Sequence, residues 1–241
     1  MPRVAELLDE GRALAGDEAR RDAEVLLCAA LDKPRSYLYA RADAEVSEAQ
    51  AQRYRQWLAR RREGVPVAYL LGRRDFWSLS LEVGPATLVP RPETELLVET
   101  ALALPLPALR GAPVDDGAAG NGEVRALAGN TVLDDRSRGA VRRVADLGTG
   151  SGAIALALAS ERADWQVTGV DISAAAVEVA ERNRRRLALD NVLLLTGDWF
   201  GPLQGMRFDV VVSNPPYVAE DDPHLARGDL PQEPVGALVA D

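Results

Sequence analysis

The 241-residue chain carries one cysteine, one histidine and one lysine, and each scarcity removes a class of chemistry. Cys28 has no second cysteine to pair with, and its place in an apolar helical pattern suits a buried, inert thiol rather than a nucleophile. The lone His224 leaves no histidine-based metal cluster or Ser/His/Asp triad to propose, and no metal is expected. No stretch approaches the ~18 consecutive apolar residues of a membrane helix, and no charged start followed by an apolar run marks a signal peptide. A cytoplasmic protein with no membrane partner is therefore expected. Net charge is −9, which argues against binding nucleic acid through the whole surface. Lys33 is the only lysine, and the dominance of arginine and alanine reads as a compositional habit of the source. An apolar share of 47% and a charged share of 27% fit a globular protein with room for one large domain and a small one.

What is present begins with helices. Val4, Leu7, Leu8 and Leu14 recur at helical spacing, and Asp17 is placed to cap a second helix with the apolar face Ala23, Leu26, Leu27, Ala30 and Leu31, stopped by Pro34. Ser47 and Gln50 form a capping-box signature ahead of Tyr54, Trp57 and Leu58, and Gly64 and Pro66 end that helix. Arg60, Arg61 and Arg62 at its end suit a solvated face complementing the helix dipole, with contact to an acidic partner as the alternative.

Trp77, Leu79, Leu81 and Val83 then alternate with polar residues, the period of a half-buried strand, and Gly84-Pro85 turns it toward a returning strand at Thr87-Leu88-Val89. Pro92 opens the next helix, with Glu93 and Glu95 at its positive end and Leu96, Leu97, Thr100, Ala101 and Leu104 as its buried face. From Pro105 to Arg143 the chain is rich in Pro, Gly, Ala, Asp and Asn without periodicity, and reads as a flexible surface insertion. Beyond it strands and helices alternate: strands at 144–147, 166–170, 192–195 and 208–212, with helices at 153–159 and from a Ser173 cap to about Leu187. That alternation implies an α/β, doubly wound parallel sheet with its ligand at the carboxyl ends of the strands.

Four motifs sit at those ends. Asp146-Leu147-Gly148-Thr149-Gly150-Ser151-Gly152 joins the first strand to a helix, and its glycines let the backbone turn and approach a nucleotide-like ligand. Asp171 ends the next strand, where a carboxylate can accept ribose hydroxyls. These two alone do not separate S-adenosylmethionine from NAD. Asp198-Trp199 follows the third strand, a carboxylate and an indole able to bracket an adenine. Asn214-Pro215-Pro216-Tyr217 follows the fourth. The lone pair of an amide or exocyclic amine is delocalised, so such a nitrogen attacks poorly. The Asn214 oxygen and the Pro215 carbonyl can accept its N–H bonds, orient it and stabilise the developing charge. The prolines hold those acceptors rigid, and Tyr217 can pack against the planar group.

The motifs resemble those of class I methyltransferases acting on planar nitrogen. Phe76-Trp77-Ser78-Leu79, Leu88-Val89-Pro90-Arg91-Pro92-Glu93-Thr94-Glu95, Asp146 to Gly152, Asp198-Trp199-Phe200 and Ser213 to Tyr217 are together similar to the PrmC/HemK family of protein-(glutamine-N5) methyltransferases of peptide chain release factors. Arg61-Arg62-Glu63-Gly64, Asp222-Pro223-His224-Leu225 and Gly228-Asp229-Leu230 are similar too. The resemblance implies a Rossmann-like S-adenosylmethionine-dependent methyltransferase domain at 144–241 and a helical substrate-docking domain at 1–72. Between them it implies a β-hairpin and connecting helix at 73–104 and the insertion at 105–143. The substrate implied is the glutamine of Gly-Gly-Gln in class I release factors.

By the same resemblance Asp146, Gly148, Thr149, Gly150, Ser151, Gly152, Asp171, Asp198, Trp199 and Asn214 bind the cofactor. Asn214, Pro215, Pro216 and Tyr217 hold the glutamine, with Arg91, Pro92 and Glu93 beside it, and Asn214, Pro215 and Tyr217 are the catalytic set. A monomer is expected, without direct nucleic-acid binding. The family's sheet continues for three further strands, so the domain is expected to be truncated, with its fourth strand at an unpaired edge. Three rivals remain: an N6-adenine methyltransferase, which the net charge disfavours; a catalytically impaired cofactor-binding fragment; and an NAD-dependent oxidoreductase, supported only by the glycine loop and Asp171.

Overall fold

A computed structural model describes residues 1–12, 14, 18–105 and 141–240. The insertion read at 105–143 lies outside the described residues except for Pro105 and residues 141–143, of which Arg142 and Arg143 already belong to a strand.

Five helices form the N-terminal layer: α1 (Val4–Gly11), α2 (Ala19–Leu31), α3 (Arg35–Ala40), α4 (Glu48–Arg62) and α5 (Val67–Leu71). Val4, Leu7, Leu26, Leu27, Leu38, Tyr54 and Leu58 make their shared core, the stripes the helical periodicity marks. Gly11 sets how closely α1 approaches its neighbours, since a Cβ there would lie 2.4 Å from the Cβ of Ala23 and 2.5 Å from the Tyr54 hydroxyl. Capping differs from expectation. Glu18 occupies the α2 cap without a side-chain bond, and Asp17 lies outside the described residues. Ser47 accepts the Gln50 amide, but the reciprocal arm is absent because its hydroxyl donates to the Gln50 side chain instead. Cys28 is half-buried rather than buried, and burial pushes its thiol pKa up, in keeping with an inert group.

The hairpin is shifted from the sequence reading. Its strands are β1 (Arg73–Phe76) and β2 (Leu79–Glu82), antiparallel, with Trp77-Ser78 as a two-residue turn and Trp77 at φ 55°. The pairing partner thus precedes Trp77. Thr87-Leu88-Val89 is not a strand: the Thr87 carbonyl accepts the Tyr69 hydroxyl and the Val89 amide is taken by Glu233, so side chains rather than a ladder meet these two groups. A short 3-10 helix, Pro92–Thr94, leads into α6 (Glu95–Ala103). Val98 and Ala101 are the buried positions of α6, whereas Leu96 is 65% exposed and Thr100 and Leu104 also face outward. Six of the nine residues of this helix are apolar, enough that periodicity admits more than one face and packing against the next helix selects it.

The second sheet is parallel, in the order β5-β4-β3-β6, from β3 (Arg142–Leu147), β4 (Trp165–Asp171), β5 (Val192–Thr196) and β6 (Val210–Ser213). Helices α7 (Ala153–Glu161) and α8 (Ala174–Arg186) cross over between its strands. Residues 153–159 of α7 are all buried, as a helix enclosed between sheet and α6 requires. The chain leaves β3 toward β4 on one side and returns to β6 on the other. The crevice at the carboxyl ends of β3 and β6 is therefore the switch point where ligands bind in such sheets. Among the described residues β6 is an edge strand, paired with β3 alone, and no helix is long and apolar enough to cross a membrane.

Two side chains lock hairpin to sheet. Asn183, fully buried on α8, donates to the carbonyls of Glu82 (2.9 Å) and Ser151 (3.0 Å) and accepts the Glu82 amide at 2.6 Å. Arg182 pairs with Glu82 at 2.8 Å. Replacing Asn183 by alanine strands buried amide and carbonyl groups, and is expected to cost about 2–4 kcal/mol in unfolding free energy by denaturant titration. An equal loss from Arg182→Ala, on the exposed rim, would contradict that account.

Candidate active site

The turn after β3 is built by hydrogen bonds from beneath and beside it. Gly148 and Thr149 donate their amides to the Val170 carbonyl, both at 2.9 Å, which bends the chain over the end of β4. Gly148 at φ 75° and Gly150 at φ 56° occupy the left-handed region, and among the described residues nothing lies within 4 Å of where either would carry a Cβ. That open surface is what a ligand approaching the backbone needs. Asp171 closes the turn: one carboxylate oxygen accepts the Gly150 amide at 2.8 Å and the other the Ser173 amide at 2.9 Å. Each oxygen keeps a lone pair for a ligand hydroxyl.

Asp146 lies under this turn, not in the crevice. It is fully buried, and one oxygen accepts the Thr149 hydroxyl at 2.7 Å and the Ala155 amide at 3.1 Å, while the other has no partner. Thr149 and Ser151 are buried as well, with the Thr149 side chain spent on Asp146 and the Ser151 carbonyl on Asn183. Of the residues assigned to the cofactor, these three shape the loop, and the Asp146 and Thr149 side chains are turned to that task. Burial pushes the Asp146 carboxyl up to about 6, against the Thr149 and Ala155 hydrogen bonds that lower it.

The remaining motifs surround the same crevice. Gly197 donates to the Asp171 carbonyl at 2.9 Å, which sets the Asp198-Trp199 turn beside Asp171. Asp198 is exposed, and Trp199 is 47% exposed at φ 42°, a conformation an indole rarely adopts. Its ring is available as a stacking face. Ser213 pairs in register with Leu147, and its hydroxyl donates to the Leu147 carbonyl at 2.8 Å. Asn214 thus stands one residue past the paired end of β6, level with Gly148 across the switch point. Its Nδ2 donates to Thr94 Oγ1 at 3.4 Å. Pro215 and Tyr217 are exposed, Tyr217 at 75%, and Pro216 is half-buried.

Arg91 does not face the crevice freely. Its guanidinium pairs with Glu233, whose side chain is fully buried and also accepts the Val89 amide at 3.0 Å. Pro92 and Glu93 are exposed on the 3-10 helix that ends at Thr94. Beyond Tyr217 the chain runs through further 3-10 turns and returns, so that Val218 and Val239 form a parallel bridge. Arg61, read as part of a solvated face, is largely buried: it holds Asp22 at 2.7 Å and Asp229 at 2.5 Å, joining the helical layer to this returning segment. Thr94, Asn183, Glu233 and the Arg61–Asp229 pair were invisible to sequence reading, because each finds its partner through tertiary contact.

The open glycine backbone, the lone pairs of Asp171 and the exposed indole of Trp199 together fit a nucleoside with a tail reaching toward Asn214. The Asp146 carboxyl has a higher pKa folded than unfolded, so it binds its proton more tightly in the native state. Its contribution to stability is greatest below about pH 4 and is lost as pH rises through about 6. The stability of the native sequence relative to Asp146→Asn should fall over that window and then level off. A difference that stays flat from about pH 4 to 7 would show that this carboxyl titrates normally.

A family model described as the PrmC N-terminal domain matches residues 6–72, and one described as the methyltransferase small domain matches residues 128–228. The release factor glutamine methyltransferase of Pseudomonas aeruginosa is 47% identical over 240 residues, all of this chain and 75% of that protein. Its namesake in Shewanella oneidensis is 45% identical over 95% of this chain and 68% of that protein. The Escherichia coli protein of the same name is 44% identical over 94% of this chain and 70% of that protein. With near half identity sustained from the helical layer through the site at the switch point, the chain belongs to the release factor glutamine methyltransferase family.

Proposed function

We propose that this chain transfers a methyl group from S-adenosylmethionine to the side-chain amide nitrogen, N5, of the glutamine in the Gly-Gly-Gln motif of class I peptide chain release factors. The observation that carries the reading is the position of Asn214-Pro215, immediately past the paired end of β6 and level with the open glycine turn of β3. Membership of the family supports the choice of substrate.

When bound, S-adenosylmethionine supplies a methyl group on a positively charged sulfur. The work left to the chain is positioning. Gly148 and Gly150 offer open backbone to the ligand, Gly152 packs against Leu156 and Ala180 and shapes the turn, Asp171 accepts the ligand's hydroxyls, and Trp199 stacks on its base beside Asp198. Asn214 Oδ1 and the Pro215 carbonyl accept the two N–H bonds of the glutamine amide, which aims its weak lone pair and stabilises the positive charge that develops on nitrogen. Pro216 stiffens the turn, and Tyr217 covers the planar amide. No histidine or other strong base is required before attack, because the amide nitrogen sheds its proton only after gaining charge. The helical layer docks the factor, and the enzyme acts as a cytoplasmic monomer. Methylation of adenine in DNA would call for a basic face, which a net charge of −9 does not favour.

Purified chain given methyl-labelled S-adenosylmethionine should label an intact release factor and leave unlabelled one whose Gly-Gly-Gln glutamine is replaced. Label on both, or on duplex DNA in preference, would overturn the assignment. Asn214→Ala should lower turnover by roughly ten- to a thousandfold, the scale for one preorganised polar group, in a protein that still unfolds cooperatively.

A further inference from the structure

A carboxamide is two groups of nearly equal size, one accepting and one donating, and its shape does not tell them apart. The role proposed for Asn214 needs the oxygen toward the substrate nitrogen. Rotated half a turn about its last bond, the side chain would present NH2 there, donor against donor. Something must hold Nδ2 on the other side.

The structure places an acceptor there. Thr94 Oγ1 accepts from Asn214 Nδ2 at 3.4 Å, across 120 residues of sequence. Both ends of this bond rest on fixed framework. The Thr94 amide donates to the Arg91 carbonyl at 3.0 Å, and Arg91 is itself paired with buried Glu233. Next to Thr94, the Glu95 carboxylate accepts the Trp77 amide at 2.8 Å and anchors the turn to the hairpin. On the other side, the Leu147–Ser213 pairing and the Ser213 hydroxyl fix the backbone that carries Asn214.

We infer that Thr94 is a positioning residue, whose hydroxyl holds the Asn214 carboxamide with its oxygen toward the substrate amide; this rests on the reaction proposed above. Thr94→Val keeps the shape and removes the hydroxyl. It should lower kcat about three- to tenfold, the worth of one neutral hydrogen bond, with little change in KM for the release factor or in cofactor affinity. Thr94→Ser should restore the rate. In an Asn214→Ala background the valine should cost nothing further, because no carboxamide is left to orient. Full activity in Thr94→Val, or an equal loss in both backgrounds, would overturn the inference. So would weaker cofactor binding at unchanged kcat, which would make the hydroxyl a cofactor ligand.

A second readout needs no turnover. In 15N-labelled protein the side-chain amide pair of Asn214, identified by its absence from Asn214→Ala, should move in Thr94→Val and stay in place in Thr94→Ser. A pair that does not move refutes the inference whatever the substrate. A pair that moves in a protein inactive on every release factor upholds the Thr94–Asn214 bond and removes the substrate reading, and with it the role of that bond in the reaction.

Discussion

A carboxylate taken out of water must be paired on the spot, and Glu233 meets that condition with the Val89 amide and the Arg91 guanidinium. Burying such a charge unpaired would cost several kcal/mol, so its partners are in effect obligatory. Through them the segment beyond the Asn-Pro-Pro-Tyr motif is pinned against the exit of the hairpin, 142 to 144 residues earlier in the chain. The 3-10 helix that follows Arg91 then brings Thr94 to Asn214. Arg61 performs the same service for the helical layer, binding Asp22 within it and Asp229 on the returning segment. Of these tied stretches, the one that carries Thr94 reaches the asparagine.

The meeting point suits the chemistry. An amide nitrogen needs no strong base but does need its N–H bonds fixed and its lone pair aimed, so the demand falls on rigid acceptors. A parallel sheet with a reversal beside β3 supplies two adjacent strand ends facing one crevice. One end carries the open glycine backbone, the other the asparagine and prolines.

Much of this was legible beforehand, for reasons specific to each element. The helical layer showed its stripes because each helix buries only one face, and Leu26, Leu27, Tyr54 and Leu58 fall on those faces. The strand–helix alternation from Arg142 onward was equally plain, since buried parallel strands read as short apolar runs. The glycine turn and the Asn-Pro-Pro-Tyr turn were found at strand ends because their chemistry is local. The hairpin was misplaced because Arg73–Phe76 is too polar to show alternation, while Thr87-Leu88-Val89 has the composition of a strand without a partner. The face of α6 was missed because a helix apolar on most sides carries no phase.

The sequence by itself determined the main helices, the parallel strands and where the glycine and Asn-Pro-Pro-Tyr turns lie, because propensity, periodicity and turn geometry act over a few residues. Only the tertiary structure decided that Asp146 serves the loop from below, that Arg61 and Glu233 are buried ties, and that Thr94 stands at Asn214. Each of the last three depends on a partner more than thirty residues away. Pairing at that range is set by how the whole chain packs, and no local pattern encodes it.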